Sequence, residues 1–363
     1  MRLAAVEGAV RSSFSWALVW LFGGRHRMPL PDWKARPYRI LVVRDDGVGD
    51  LIVSIEVLRA IRESSPTFTL DLLCSPANAR IARKLDFVNE VIVHKREGLV
   101  KAIPTLRRLR RNGYDVVIDG RMAINNVNKH TTVLMLATGA PWRIGVGGRT
   151  NDRVYNVPVR AERIRHWVDN IVALASPFGV KRDDRDWRAR LPFSDEQRAE
   201  GERGWHSVGT GRPRILVNLY AAMADRLWPV ENFAPVLARF RERLPRATIV
   251  IPTMPAGDPV AERLVQPVNG AALPLDLDQL TAFTATADLV VSPDTAVTVI
   301  ASAFRVPVLA LMRKDTHRWV PYRVPGLTVF SDDPRSLNML PVERVLAAVD
   351  QVIDSLGRER GWL

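Results

Sequence analysis

The chain of 363 residues carries a single cysteine, Cys74. A lone thiol has no partner for an intramolecular disulfide and none for a cysteine-based zinc site, which points to a reducing compartment. Cys74 ends the apolar run Leu70-Asp71-Leu72-Leu73-Cys74 and reads as a small buried strand residue rather than a nucleophile. Low-complexity tracts and obvious short internal repeats are missing as well. A long apolar run is also missing: Phe14-Ser15-Trp16-Ala17-Leu18-Val19-Trp20-Leu21-Phe22 is nine residues, whereas a membrane-crossing helix needs about 20. Acid is scarce relative to base, with 39 Asp and Glu against 52 Lys and Arg and a net charge of +13. Such a charge attracts polyanions in general and does not separate nucleic acid from anionic lipid or phosphorylated sugar. No nucleic-acid module and no interleaving of aromatic and basic residues is present, so nucleic acid is not an expected partner.

What remains is the composition of an ordinary globular protein, 47% hydrophobic and 25% charged. A single core stops growing at about 250 to 300 residues, so two domains are expected. The stretch from Lys101 to Arg111 holds five cations and no acid, which suits a solvated helix face or an anion-facing surface. The apolar segment 14–22 has three readings. A signal peptide ranks last, because a basic cluster and no small-residue cleavage pattern follows. Packing on the protein's own core is the second. The third, preferred, is an interfacial helix with Trp16 and Trp20 at headgroup depth and Arg2, Arg11, Arg25 and Arg27 near anionic lipid.

From Tyr38 onward, buried-strand patterns alternate with helical spacing. Strands are expected at 38–44, 68–73, 90–93 and 115–119, then at 214–218, 248–251, 289–292 and 306–311. This alternation predicts an α/β fold with two doubly wound parallel sheets. The expected divisions are an amphipathic segment 1–37, a first domain 38–185, a charged linker 186–212, a second domain 213–345, and a C-terminal helix 346–363 available to pack back on the first domain. Two such sheets imply a cleft, with ligands beyond the carboxyl ends of the strands.

Three strand-to-helix loops carry the candidate chemistry. The first, Arg44-Asp45-Asp46-Gly47-Val48-Gly49-Asp50, has two glycines for close backbone approach but lacks the third glycine of a dinucleotide fingerprint, which argues against a Rossmann oxidoreductase. Asp50 begins a helix, where it serves either the helix dipole or catalysis. The second, Asn218 to Pro229, combines small residues with Arg226, a cation suited to a diphosphate. The third, Ser292-Pro293-Asp294-Thr295-Ala296-Val297, runs from a strand into a helix, whose amino terminus suits phosphate while Asp294 suits sugar hydroxyls; Asp294 or Thr295 also suits a helix cap.

These loops, in this order, resemble those of glycosyltransferase family 9, the lipopolysaccharide heptosyltransferases. The likeness runs from about Arg39 to Tyr322 and rests on Arg44 with Gly49-Asp50, on Trp142-Arg143-Ile144-Gly145-Val146, on Arg153-Val154-Tyr155-Asn156-Val157 and on His166-Trp167-Val168-Asp169. It rests further on Arg226-Leu227-Trp228-Pro229-Val230-Glu231-Asn232-Phe233 and on Asp294-Thr295-Ala296. The resemblance implies a GT-B fold of two Rossmann-like domains, with acceptor in the first and donor in the second. It implies inverting transfer from a nucleotide sugar such as ADP-heptose to a lipopolysaccharide-core or similar anionic glycolipid or glycan, with no required cofactor or metal. By position, Asp50 would be the general base, Arg226 the diphosphate ligand, and Asp294 the sugar ligand. Gly49 and the amides of Thr295, Ala296 and Val297 would approach the donor, and Asp258 its ribose. With the interfacial reading of the N-terminal segment, the protein is expected to be cytoplasmic and held on the inner face of a bacterial inner membrane through residues 1–28.

The chain departs from the family pattern in its donor loops. Val299 stands where the family usually has His, Ala296 where it has Gly, and Ala221 and Ala222 where it has polar residues. The donor's sugar is thereby left open, and a catalytically silent relative that binds a nucleotide or anionic glycolipid is the alternative reading.

Overall fold

The computed structural model describes residues 27–363 apart from 123–128, 149–153, 163–164 and 255–256. The segment 14–22 and Arg153 lie outside the described residues. No helix among the described residues is long and apolar enough to cross a membrane. The chain divides into two compact units, one ending at Trp187 and one starting at Arg188.

In the first unit, six parallel strands, β1 (Arg39–Arg44), β2 (Thr69–Cys74), β3 (Glu90–Val93), β4 (Val116–Asp119), β5 (Trp142–Val146) and β6 (Val157–Val159), lie in the order β3-β2-β1-β4-β5-β6. Its helices are α1 (Val48–Glu63), α2 (Ala79–Ala82), α3 (Leu99–Arg111), α4 (Lys129–Ala137) and α5 (Trp167–Ile171). β1 is central and paired on both sides, which is why Ile40-Leu41-Val42-Val43 is unbroken apolar sequence rather than alternating. The described residues just ahead of β1 pack on this unit. Trp33 sits among Tyr38, Phe68, Trp142 and Phe178, its ring 4.8 Å from that of Phe178, and the Trp142 indole donates to the Pro29 carbonyl at 2.9 Å. In α3, Arg108 pairs with Glu90 and Lys101 lies 3.7 Å from Glu97, so the cationic stretch is a largely exposed helix face with partial neutralisation.

The second unit repeats the plan. Strands β7 (Arg214–Val217), β8 (Thr248–Thr253), β9 (Ala271–Pro274), β10 (Leu289–Pro293), β11 (Val308–Arg313) and β12 (Gly326–Ser331) lie in the order β12-β11-β10-β7-β8-β9. Counted from the first strand of each unit, this is the same doubly wound order. The likeness extends to a hydrogen bond: the Asp115 carboxylate accepts the Arg39 amide at 2.8 Å, and the Asp288 carboxylate accepts the Arg214 amide at 2.7 Å. The helices are α6 (Asp195–Val208), α7 (Phe233–Arg243), α8 (Pro259–Val265), α9 (Leu277–Ala285), α10 (Ala296–Ala303) and α11 (Val342–Arg360).

The expected linker is corrected, and the core that the C-terminal helix joins is defined. The stretch 186–212 is not a linker: α6 occupies most of it, capped by Ser194 and Gln197, with Trp205 fully buried and its indole donating to the Phe283 carbonyl at 3.2 Å. Its charge is the outer face of a surface helix, of which only Gly201 and Trp205 are buried. The C-terminal helix spends its apolar face within its own unit. Val345, Val349, Val352, Ile353 and Leu356 of α11 join one core with Trp228, Phe233 and Phe240, and Asp350 accepts from Arg239 and Arg243 at 2.6 and 2.7 Å.

Trp228 anchors that core, fully buried, with its ring 4.9 Å from Phe233 edge-on and its indole donating to the Leu340 carbonyl at 2.9 Å. Trp228→Ala is expected to lower unfolding stability by about 3–5 kcal/mol, read by urea denaturation. In the first unit, a Cβ on Gly145 would stand 2.5 Å from the buried Tyr155 ring. Gly145→Ala is expected to cost about 1–3 kcal/mol in the same measurement.

Candidate active site

In sheets of this order the strand sequence reverses between the first and fourth strands, and ligands bind beyond the carboxyl ends there. In the first unit this point lies past β1 and β4. Arg44 ends β1 with no solvent exposure, so its always-charged guanidinium must be satisfied internally. It donates to the Asp50 carbonyl from Nε at 2.9 Å and again from Nη2, donates to the Gly120 carbonyl just past β4, and lies 3.3 Å from the Asp46 carboxylate. One side chain thereby ties two strand ends to the first turn of α1.

Asp50 is the third residue of α1. Its Oδ2 accepts the Gly47 amide at 3.1 Å, the reciprocal bond of a capping box. Oδ1 lies 3.9 Å from Arg44 Nη2, and the side chain is 33% exposed. The cap and an accessible carboxylate oxygen therefore coexist in one residue. A Cβ at Gly47 would lie 2.9 Å from Asp50 Oδ2, so a larger residue there would shift the carboxylate. Gly49 lies in the helical first turn.

Around Asp50 the structure gathers residues that sequence reading passed over. The Asp45 carboxylate is buried and meets Arg96 at 2.9 Å, His130 at 3.3 Å and Arg121 at 3.7 Å; the His130 ring stacks on His94 at 4.9 Å. Burial alone would push the Asp45 pKa up, but His130, Arg96 and Arg121 outweigh it and hold the carboxyl well below the usual range. Asp46 goes the other way: burial, reinforced by the charge of Asp50 and opposed by Arg44, pushes it up to about 6. Beneath these, the Tyr155 hydroxyl donates to the Asp119 carboxylate, which accepts the Arg121 amide at 3.0 Å. The Tyr155 ring fits because position 145 is glycine, and Asn156 holds the turn by accepting the Arg143 amide at 2.8 Å. The family-like segments 142–146 and 154–157 thus pack together and meet the end of β4 through Tyr155 and Asp119. At the end of β2, burial pushes the Cys74 thiol up to about 11, consistent with a packing residue.

In the second unit the reversal lies past β7 and β10. Asn218, just after β7, donates through Nδ2 to the Tyr220 carbonyl at 2.9 Å, to Ser292 Oγ at 2.9 Å and to Thr295 Oγ1 at 3.2 Å. Thr295 caps α10 by accepting the Val297 amide at 3.2 Å. A phosphate at that terminus would share or displace this cap, with Ala296 as the first helical residue. Arg226 lies in the 3-10 turn Ala224–Arg226, with Nη1 3.2 Å from Asp294 Oδ2 and 3.4 Å from the Asp294 carbonyl. Arg226, Asp294 and Thr295 are therefore brought to one place. Asp258 caps α8 instead, accepting the amides of Val260 at 2.9 Å and Ala261 at 3.2 Å.

Comparison with known proteins agrees with this geometry. The model of glycosyltransferase family 9 (heptosyltransferase) matches residues 104–335. The lipopolysaccharide core heptosyltransferase OpsX of Haemophilus influenzae is 21% identical over 293 residues, covering 78% of this chain and 81% of that protein. The crystal structure of a family 9 glycosyltransferase from Veillonella parvula superposes with a TM-score of 0.71 at 20% identity, over 90% of this chain and 100% of that one. Escherichia coli heptosyltransferase WaaC with ADP-2-deoxy-2-fluoro heptose superposes with a TM-score of 0.65 at 18% identity, over 88% of this chain and 99% of that one. With a family match over well more than half its length and the two Rossmann-like sheets of a GT-B fold, this chain belongs to glycosyltransferase family 9, the heptosyltransferases.

Proposed function

We propose that this enzyme moves a heptose or related sugar from an ADP-linked donor to a lipopolysaccharide-core or similar anionic glycolipid acceptor, with inversion and with Asp50 as general base. The observation that carries this reading is the setting of Asp50: one carboxylate oxygen is pinned by the Gly47 amide while the side chain stays one-third exposed, 33%. A base has to be held in place and still be within hydrogen-bond reach of the hydroxyl it deprotonates. In the proposed step the acceptor hydroxyl gives its proton to Asp50, and its oxygen attacks the anomeric carbon as the bond to the nucleotide diphosphate breaks on the opposite face. Negative charge builds on the leaving diphosphate, where Arg226 supplies the stabilising cation. Asp294, 3.2 Å away, orients that guanidinium and offers its carboxylate to sugar hydroxyls. The amides of Thr295, Ala296 and Val297 at the start of α10 suit the phosphates. Gly49 lets the backbone approach, and Asp258, past β8, is the candidate for the ribose.

The WaaC complex with an ADP-heptose analogue supports the donor class, and the naming of OpsX supports the acceptor class. Val299 and Ala296 remain the positions at which the preferred sugar is expected to differ from ADP-heptose. A lipid-linked acceptor is presented at a membrane surface, so residues 1–28, with Trp16 and Trp20 among arginines, are proposed to hold the enzyme on the cytoplasmic face of the inner membrane.

Asp50→Asn keeps an oxygen for the Gly47 amide and removes the base. Turnover with donor and acceptor is expected to fall about 10²- to 10⁴-fold with donor affinity and melting temperature unchanged; native turnover would remove Asp50 from the mechanism. Asp46 yields a pH test. Its folded pKa of about 6 lies above the usual carboxylate range, so the folded state binds the extra proton and stability falls as pH rises from about 4 through 6. Asp46→Asn, which keeps an oxygen facing Arg44 as the protonated carboxyl does, is therefore expected to stabilise the protein at pH 8, by about 1–3 kcal/mol, and to leave it near native stability at pH 4. Equal effects at both values would show that its ionisation is not the cause.

A further inference from the structure

The turn that carries Arg226 is poorly supported by its own hydrogen bonds. It is a 3-10 turn of three residues, Ala224–Arg226, with no side-chain cap and with extended residues on both sides. Such a turn adds little rigidity, yet a cation that meets a developing charge has to be positioned beforehand. The support comes from the residue just before it. The Asp225 carboxylate accepts from Arg313 Nη1 at the end of β11, and the Asp225 carbonyl accepts the Leu337 amide at 3.0 Å. Arg313 is itself fixed: its side chain is only 13% exposed, its Nε lies 3.4 Å from Asp315 Oδ1, and its carbonyl accepts the Thr316 hydroxyl at 2.8 Å. β10 and β11 are adjacent parallel strands in which Pro293 faces Leu311. Two consecutive turn residues are thus bonded to two neighbouring strand ends, Arg226 to Asp294 past β10 and Asp225 to Arg313 on β11.

We infer that the Asp225–Arg313 pair is a latch that positions Arg226 for the donor diphosphate, an inference that rests on the role proposed above for Arg226. Arg313 acts through Asp225 rather than by touching the donor, because its guanidinium is already neutralised by two carboxylates, Asp225 and Asp315. Breaking the pair leaves the core of the unit intact and lets the turn wander, so the loss falls on donor binding.

The test is calorimetric titration of the full chain with ADP, alongside thermal denaturation. Arg313→Met and Asp225→Asn are each expected to weaken ADP about ten-fold, and the double variant to be no weaker than either alone, as for two residues acting through one contact. Arg313→Lys should recover most of the affinity, all at near-native melting temperature. Arg226→Met serves as the reference and should weaken ADP at least as much. Native affinity in Arg313→Met and Asp225→Asn, with Arg226→Met impaired, would overturn the latch alone. Native affinity in Arg226→Met would remove the role of Arg226 and the latch with it. Losses that multiply in the double variant would assign Arg313 a direct contact with ADP and overturn the latch. Should Arg313→Met fail to fold, the near-isosteric Asp225→Asn decides the matter.

Discussion

The buried guanidinium of Arg44 is the constraint from which the first unit's site follows. A cation with no access to water is tolerable only if every donor finds a partner, since breaking such a set costs about 3–5 kcal/mol. Its partners are the Asp50 and Gly120 carbonyls and the Asp46 carboxylate. Satisfying them fixes the path of the loop from β1, the register of α1 against β4, and hence the place of Asp50. The second unit solves the same problem with a neutral amide: Asn218 holds its own loop to Ser292 and Thr295. The two solutions suit different tasks, because a site proposed to generate an anion needs its cation on the mobile charge, and there the cation is Arg226.

Strands at the middle of each sheet were legible in the sequence because burial on both faces leaves a continuous apolar run, as in Ile40 to Val43 and Leu289 to Val291. Expected and observed limits of those strands agree to within two residues. The strands that escaped sequence reading are β5, β6, β9 and β12, of which the last three lie at or near sheet edges. β6 is three residues with a central proline, and all of β9 is partly or fully exposed, so neither carries a run that stands out from loop sequence. Helix α6 was misread as a linker for a related reason: two buried residues in fourteen give almost no apolar stripe.

The site divides in the same way. Residues with a local chemical signal can be singled out in the sequence, Asp50 and Thr295 by their place at helix starts and Arg226 and Asp294 by their loops, and their roles are those proposed above. What was not legible is the company they keep. Asp45, Arg96, Arg121 and His130 come from four separate stretches, and only the order of the strands brings them around one carboxylate. Asp258 adds a second role that its position does not announce, since one oxygen of its carboxylate caps α8. Position after a strand indicates the edge of the sheet and says nothing of which partner a side chain takes.

The placement of α11 has a consequence in time. The strands of the second unit are complete by Ser331, yet one side of that sheet is covered by residues from 342 onward, which share a core with Trp228 and Phe233. During synthesis that apolar face stays open until residues 342–360 have left the ribosome, whereas the first unit, ending at Trp187, has all its own strands long before. The proposed acceptor half thus has all its strands before the proposed donor half can cover its sheet, an order set by where α11 lies in the sequence.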